Sequence, residues 1–231
     1  MNDSINIAKE VFDLEIIELD KVKSKIDEKF ERVVELILDS KGRVIVTGIG
    51  KSGIIGKKIA ASLASTGTNS FFMHAAEALH GDLGMVYKDD IVIAISNSGS
   101  SQEVLDILPS IKRIGATLIA MTGNGNSPLA KESEYILDIG IEKEACPLDL
   151  APTSSTTATL VMGDALAVAL MTRREFRPEK FALYHPGGAL GRRLLTKISD
   201  LMITGIPKVT LETELKDIIY EISSKRIGMT L

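Results

Sequence analysis

Twice in this chain a continuous apolar run empties into a loop of glycine and serine and then into a helix-like pattern. The first instance is Arg43-Val44-Ile45-Val46-Thr47, followed by Gly48-Ile49-Gly50-Lys51-Ser52-Gly53. The second is Asp90-Ile91-Val92-Ile93-Ala94-Ile95, followed by Ser96-Asn97-Ser98-Gly99-Ser100-Ser101-Gln102-Glu103. Strands that are apolar without alternation are those covered on both faces, as in parallel sheets. A helix that starts just beyond such a strand offers unpaired backbone N–H groups and the positive end of its dipole, which suits an anion. The second loop adds the hydroxyls of Ser96, Ser98, Ser100 and Ser101. That chemistry fits a phosphate better than a flat aromatic cofactor.

The same alternation runs through most of the chain. Strands are predicted at 43–47, 69–73, 90–96, 116–121 and 135–139, and helices at 52–65, 101–114 and 155–174, with short turns near 75–80, 127–132 and 188–195. This pattern predicts an α/β fold, a doubly wound three-layer αβα sandwich around a mainly parallel five-stranded sheet. Ligands of such sheets sit beyond the carboxyl ends of the strands, where both glycine-rich loops fall. Residues 3–39 contain no Gly or Pro and read as one long helix with apolar Ile5, Phe12, Ile16, Leu19, Ile26, Phe30, Val33 and Ile37. That stripe needs a partner, either the helix's own domain or a neighbouring subunit. Composition shifts after His185-Pro186-Gly187-Gly188, so domain boundaries are placed at 40/41 and 195/196. Residues 198–231 read as a short helix, a strand-like 207–209, a helix over 212–225 and the start of a further strand at 226–231: an incomplete second domain.

Charge and composition exclude several classes. At 45% hydrophobic and 25% charged residues the chain has an ordinary soluble composition. A net charge of -4 supplies no basic field for nucleic acid. The absence of Trp and the 4% aromatic content argue against stacking platforms for single strands. The amino terminus lacks the pattern of a signal peptide, and no apolar run reads as a membrane span. A single cysteine rules out a disulfide framework and fits a cytoplasmic location. That residue, Cys146, lies among acids, a setting that disfavours a thiolate and makes it structural.

Gly48-x-Gly50-x-x-Gly53 matches a dinucleotide fingerprint, but strand 69–73 ends in His74 where an acid should hold the ribose. A P-loop fails because Ile45 stands where its first glycine belongs. Lys51 sits in the turn before its helix, where its ammonium faces a bound anion or a developing enolate. Glu103, in the first turn of the second helix, complements the helix dipole or serves as an acid/base group. Glu142 and Glu144 follow a predicted strand, either in a solvated loop or at the site. His74 and His80 flank Glu77, as polar loop groups or as part of a metal site. His185 stands before Pro-Gly-Gly in a turn, where an imidazole is suited to shuttling a proton. Pro152-Thr153-Ser154-Ser155-Thr156-Thr157 caps a helix or binds ligand hydroxyls.

Long stretches of the chain resemble a known family. Thr47-Gly48-Ile49-Gly50-Lys51-Ser52-Gly53, Ser96-Asn97-Ser98-Gly99-Ser100-Ser101 and His80-Gly81-Asp82-Leu83-Gly84-Met85 resemble the sugar isomerase (SIS) domain. The stretches 143–148, 151–160 and 185–192 narrow the likeness to the arabinose-5-phosphate isomerases, and the tail from Ile198 resembles the start of the CBS domain pair that they carry. The resemblance implies interconversion of D-ribulose 5-phosphate and D-arabinose 5-phosphate, toward the lipopolysaccharide sugar Kdo, with no cofactor required. It places catalytic roles on Lys51, Glu103, Glu144 and His185. Substrate contacts fall on Gly67, Thr68, His80, Gly140, Ile141, Glu142 and the start of the helix after the serine-rich loop. With the loop chemistry, Ser52, Ser96, Ser98 and Ser101 are assigned to phosphate. An inhibitory zinc is implied at His74, and a homotetramer with active sites shared between subunits. Either Glu144 or His185 is the base, with Glu103 assisting. The alternatives are another SIS-type isomerase or a non-catalytic sugar-phosphate sensor.

Overall fold

A computed structural model describes residues 3–226 and 228–231. Contacts divide it into two compact units, Met1–Phe181 and Ala182–Leu231, a division that falls ahead of the boundary read at 195/196.

In the first unit the continuous apolar runs form β1 (Val44–Gly48), β2 (Ser70–His74), β3 (Ile91–Ile95), β4 (Thr117–Thr122) and β5 (Tyr135–Asp138). All neighbours pair in parallel, in the order β2-β1-β3-β4-β5. The chain therefore steps from β1 outward to β2, then crosses back to lay β3 on the other side of β1. Connections at the carboxyl ends of β1 and β3 diverge there and open a crevice. Both glycine-rich loops leave the sheet at that point.

Alternate residues of the strands feed two separate cores. Val44, Val46, Ile91, Ile93, Ile119 and Met121 pack with Ile59 and Leu63 of α3 (Gly50–Ser65), Val33 and Ile37 of α2 (Glu28–Asp39) and Leu166 and Leu170 of α7 (Ser154–Arg173). On the opposite face Ile45, Val92, Ala94, Leu118 and Ala120 pack with Val104, Ile107 and Ile111 of α5 (Gln102–Ile114). Ala75 and Ala78 of α4 (Ala75–Ala78) and Leu129 of α6 (Pro128–Glu132) close that face. Each fully buried Ile or Leu of this kind contributes about 1.5–3 kcal/mol, so the sandwich is driven mainly by these two layers. α3 and α7 touch so closely at Gly163 that a Cβ there would lie 2.4 Å from Ile59.

The predicted single amino-terminal helix is two. α1 (Ser4–Ser24) ends at Lys25, and α2 restarts with the Asp27 side chain accepting the Lys29 N–H at 2.9 Å. Asp27 is an N-cap, and an N-cap interrupts a helix without any Gly or Pro. A second correction concerns α7, which by length and composition is apolar enough to span a bilayer. Here it is the helix on which α1, α2 and α3 pack. α8 (Pro178–Tyr184) was not anticipated.

The second unit contains α9 (Ala189–Leu195), α10 (Ile198–Leu201) and α11 (Leu215–Lys225), the last shorter than the 212–225 predicted. The Val209 N–H donates to the Leu231 carbonyl, and the Leu231 N–H to the Pro207 carbonyl, both at 3.0 Å. That pair is the pattern of a parallel bridge, with α11 as its crossover. Beyond these two bonds 207–209 forms no strand, where strand-like character was expected; Ile227, inside the other expected strand, lies outside the described residues.

Candidate active site

A cleft of about 500 Å³ opens at the carboxyl end of the sheet, lined by Ile49, Lys51 and Ser52, by Asn97, by residues 141–144, by Asp149, Leu150 and Pro152, and by Ser155, Thr156 and Thr159. The amino termini of α3 and α7 both reach it, so two helix dipoles present their positive ends to one space. Lys51 already belongs to the first turn of α3, one residue into the helix rather than in the turn before it. Among the described residues its ammonium forms no ion pair, and it is exposed on the cleft wall.

Glu144 is the most firmly held acid of the cleft. Its Oε2 accepts the Thr153 N–H at 2.7 Å, the Thr153 hydroxyl at 3.0 Å and the Ser155 N–H at 3.1 Å. The carboxylate thus caps α7 in place of the N-cap side chain, because the Thr153 hydroxyl is turned toward Glu144 and also accepts the Ala145 N–H at 2.8 Å. No hydrogen bond among the described residues falls on Oε1. The Glu144 backbone is fixed as well, its N–H donating to Asp149 Oδ1 at 2.8 Å. Asp149 adopts a left-handed φ of 53°, uncommon for a residue with a side chain.

The stretch before Glu144 is gripped by α1. The Glu142 N–H donates to Glu18 Oε2 at 2.7 Å, Lys21 bridges Glu18 Oε1 and Glu142 Oε2, and Lys25 donates to the Gly140 carbonyl at 2.7 Å. Burial pushes the Glu18 carboxyl up. Lys21 and the Glu142 N–H outweigh it and hold the group below the usual glutamate range. The contacts to Glu142 and Glu18 raise the Lys21 ammonium above its usual value.

The serine-rich loop is preorganised beside the cleft. Ser96 is buried, its Oγ 2.9 Å from Ser101 Oγ and accepting the Gly99 N–H at 3.1 Å. Ser98 is exposed and accepts from the Ser100 N–H and hydroxyl. Only Asn97 of this loop lines the cleft.

The remaining expected positions are spread more widely. Glu103 is half-buried, the second residue of α5, and outside the cleft lining. Gly67 and Thr68 precede β2, at the amino end of the strands, and Arg174 bonds to the Gly67 carbonyl, the Thr68 hydroxyl and the Ile37 carbonyl. Burial pulls that guanidinium down from its usual value. One chain therefore does not bring Gly67 and Thr68 to the Glu144 cleft. His80 is exposed beyond α4. His74 ends β2 and its Nδ1 accepts the Ala76 N–H at 3.3 Å. Among the described residues no three of His, Cys, Asp and Glu gather where a metal would bind. His185 belongs to the second unit, in the turn before α9, half-buried, with its carbonyl accepting the Gly188 N–H at 3.1 Å.

The SIS domain family model matches residues 36–169. The arabinose 5-phosphate isomerase KdsD of Pseudomonas aeruginosa is 56% identical over 99% of this chain and 71% of its own length. KdsD of Francisella tularensis is 53% identical, over 100% of this chain and 72% of that protein. A structure of an Escherichia coli CFT073 protein solved in complex with arabinose 5-phosphate superposes with a TM-score of 0.78 at 44% identity, covering 80% of this chain and 100% of that one. The chain belongs to the SIS-domain arabinose 5-phosphate isomerase family.

Several features of this SIS domain lay beyond sequence reasoning. Asn97 and Asp149 line the cleft, and Glu18 organises it; Asn97 sits inside the serine-rich motif without being singled out there, and the other two carry no motif. The Asp149 signal was a helix-breaking loop rich in Pro, which does not say which acid turns inward. Cys146 also differs from expectation. The backbone of Ala151, Leu150 and Leu148 draws the thiol below its usual value, where the acids around it were expected to disfavour a thiolate.

Gly99 fixes the serine-rich loop against α6. Its φ is +66°, and a Cβ there would lie 2.0 Å from Ser127 Oγ and 2.9 Å from Thr122 Oγ1. Ser127 in turn caps α6 through the Ala130 N–H. Gly99→Ala in this SIS domain is expected to cost about 1–3 kcal/mol from overpacking and left-handed strain. It should raise KM for a sugar phosphate about tenfold, as loop hydroxyls move away from the α5 terminus. Urea unfolding and steady-state kinetics check both; an unchanged KM would separate this loop from phosphate binding.

Proposed function

We propose that the chain is an aldose–ketose isomerase that interconverts D-ribulose 5-phosphate and D-arabinose 5-phosphate. The single observation that carries the reading is the near-complete alignment, at 56% identity, to a protein of that activity. The arabinose 5-phosphate bound to the solved neighbour agrees with it.

The chemistry moves a proton from C1 of the ketose to C2 through a cis-enediolate, while a hydroxyl proton passes between the two oxygens. No hydride acceptor takes part. Phosphate binding is assigned to Ser96, Ser98 and Ser101 at the α5 terminus, with Ser52 on α3. Lys51, a cation at the cleft wall without a protein counter-ion among the described residues, is suited to the enediolate oxygen. Glu144 is suited to proton transfer because one of its oxygens is saturated by α7 and the other is left for substrate. Glu103 and His185 keep the roles that the resemblance implies. We further propose a homotetramer in the cytoplasm. The exposed Ile5, Phe12 (71% exposed) and Ile16 of α1 support assembly, since a soluble chain seldom leaves such a row to water.

The test is incubation with D-ribulose 5-phosphate in deuterated water. Arabinose 5-phosphate carrying deuterium at C2 is the expected product. Binding without exchange or conversion would instead identify a sensor. In the same assay Lys51→Met should lower kcat about a hundredfold or more, because an electrostatic group aimed at developing charge is lost. Its fold should be intact by circular dichroism, since the Lys51 side chain holds no other element in place. Activity within threefold of wild type would remove Lys51 from the mechanism.

A further inference from the structure

Among the described residues Glu18 is the buried acid on the cleft side of the sheet that the chemistry above does not use. It is 3% exposed, on α1, with Lys21, three residues on, as its local partner. Glu18, Lys21 and Lys25 recur at intervals of three and four, so they share one face of α1. All three act on one short segment. Glu18 accepts the Glu142 N–H at 2.7 Å, Lys21 donates to the Glu142 side chain at 2.5 Å, and Lys25 donates to the Gly140 carbonyl at 2.7 Å. Two of these contacts are to backbone, so they fix the path of the chain rather than one side chain. Ile141 and Glu142 of this segment line the cleft, and Glu144 follows two residues later.

We infer that Glu18 is a positioning residue, which sets the substrate-facing segment 140–142 and through it the affinity of the site. The inference rests on the isomerase reading for its kinetic consequence but not for its structural one. A buried carboxylate is retained at the cost of its desolvation. That cost is met here by two charge-assisted bonds, one of which reaches a residue 124 positions away. α1 thereby acts as a strut under the active-site loop, in addition to covering α7, where Glu15 accepts the Thr157 hydroxyl at 2.9 Å. Because the hydrogen bond to Glu142 is made in the free protein, its loss disorders the loop that substrate must then order on binding. The effect belongs in KM more than in kcat.

Two variants separate positioning from folding. Glu18→Leu removes the acceptor; Glu18→Gln keeps a carbonyl oxygen for the Glu142 N–H while losing the charge. Glu18→Leu is expected to raise KM about tenfold with kcat within about threefold, and Glu18→Gln to restore most of the affinity. A partly unfolded preparation lowers the apparent kcat but leaves KM unchanged, so a merely structural role gives the opposite split. Amide hydrogen exchange on the same proteins, which needs no activity, should show faster exchange at residues 140–144 in Glu18→Leu and near wild-type protection in Glu18→Gln. Unchanged KM and unchanged protection in Glu18→Leu would overturn the inference. Loss of protection in a protein that never isomerises ribulose 5-phosphate would keep the strut and refute the isomerase reading instead.

Discussion

Glu144→Gln is expected to lower kcat by about a hundred- to ten-thousandfold, the usual worth of a positioned acid–base group. The reasoning is geometric. Three donors converge on Glu144 Oε2, two of them backbone N–H groups at the start of α7. A glutamine at this position turns its carbonyl oxygen to those donors and is left with an NH₂ group facing the cleft. That group cannot accept a proton from carbon. Substrate binding depends on the loop backbone and the phosphate site, both of which the variant preserves, so KM should stay within about threefold. The decisive measurement is deuterium exchange at C1 of ribulose 5-phosphate, which reports proton removal directly. Exchange and turnover within tenfold of wild type would move the base to another group.

The loops and the sheet were legible because their signals are local. Continuous apolar runs such as Ile91–Ile95 have no polar face, and only a doubly covered parallel strand satisfies that. Glycine and serine at the strand ends mark the crevice for the same reason, since close backbone approach and free N–H groups require them. The break between α1 and α2 was legible in principle. Asp27 followed by Glu28 and Glu31 is a helix start, but no Gly or Pro drew attention to it. Glu18 was not legible at all. Its local pairing with Lys21 reads the same on an exposed helix face, and its other partner, the Glu142 N–H, lies 124 positions away. The expected site residues divide along the same line. Lys51, Ser52, Ile141, Glu142 and Glu144 line one cleft because they follow neighbouring strands. Gly67 and Thr68 precede a strand, and topology sends them to the other end of the sheet.

That other end holds the fold together, which leads to an expected separation of stability from chemistry. Arg43 and Asp90 stand at the amino ends of β1 and β3. The Arg43 guanidinium donates to Asp90 Oδ2 at 2.6 Å and Oδ1 at 3.2 Å, and Asp90 also accepts the backbone N–H groups of Arg43 and Tyr87 at 2.8 and 2.9 Å. The guanidinium lies over the rings of Phe71 and Tyr87, about 5 Å from each centroid. Asp90 is 2% exposed. Removing one partner of such a pair leaves a charge and two N–H groups uncompensated, so Asp90→Ala should destabilise the protein by about 3–5 kcal/mol at neutral pH. Burial pushes the Asp90 carboxyl up, but Arg43 and the two N–H groups outweigh it and hold it below the usual aspartate range. A carboxyl depressed in the folded state contributes stability that is complete above its unfolded value, about 3.9, and that is lost as pH falls through the folded value. The gap in urea midpoint between wild type and Asp90→Ala should therefore be widest near neutrality and narrow below about pH 4. A gap under about 1 kcal/mol at neutral pH, or one that stays constant on acidification, would mean that the pair contributes no net stability. Turnover of the folded fraction should be unaffected, because the cleft lies at the opposite end of the same strands. The sheet thus separates two tasks by strand polarity: ion pairs and backbone caps close the amino ends, and the free N–H groups of the helices that follow are left for the ligand.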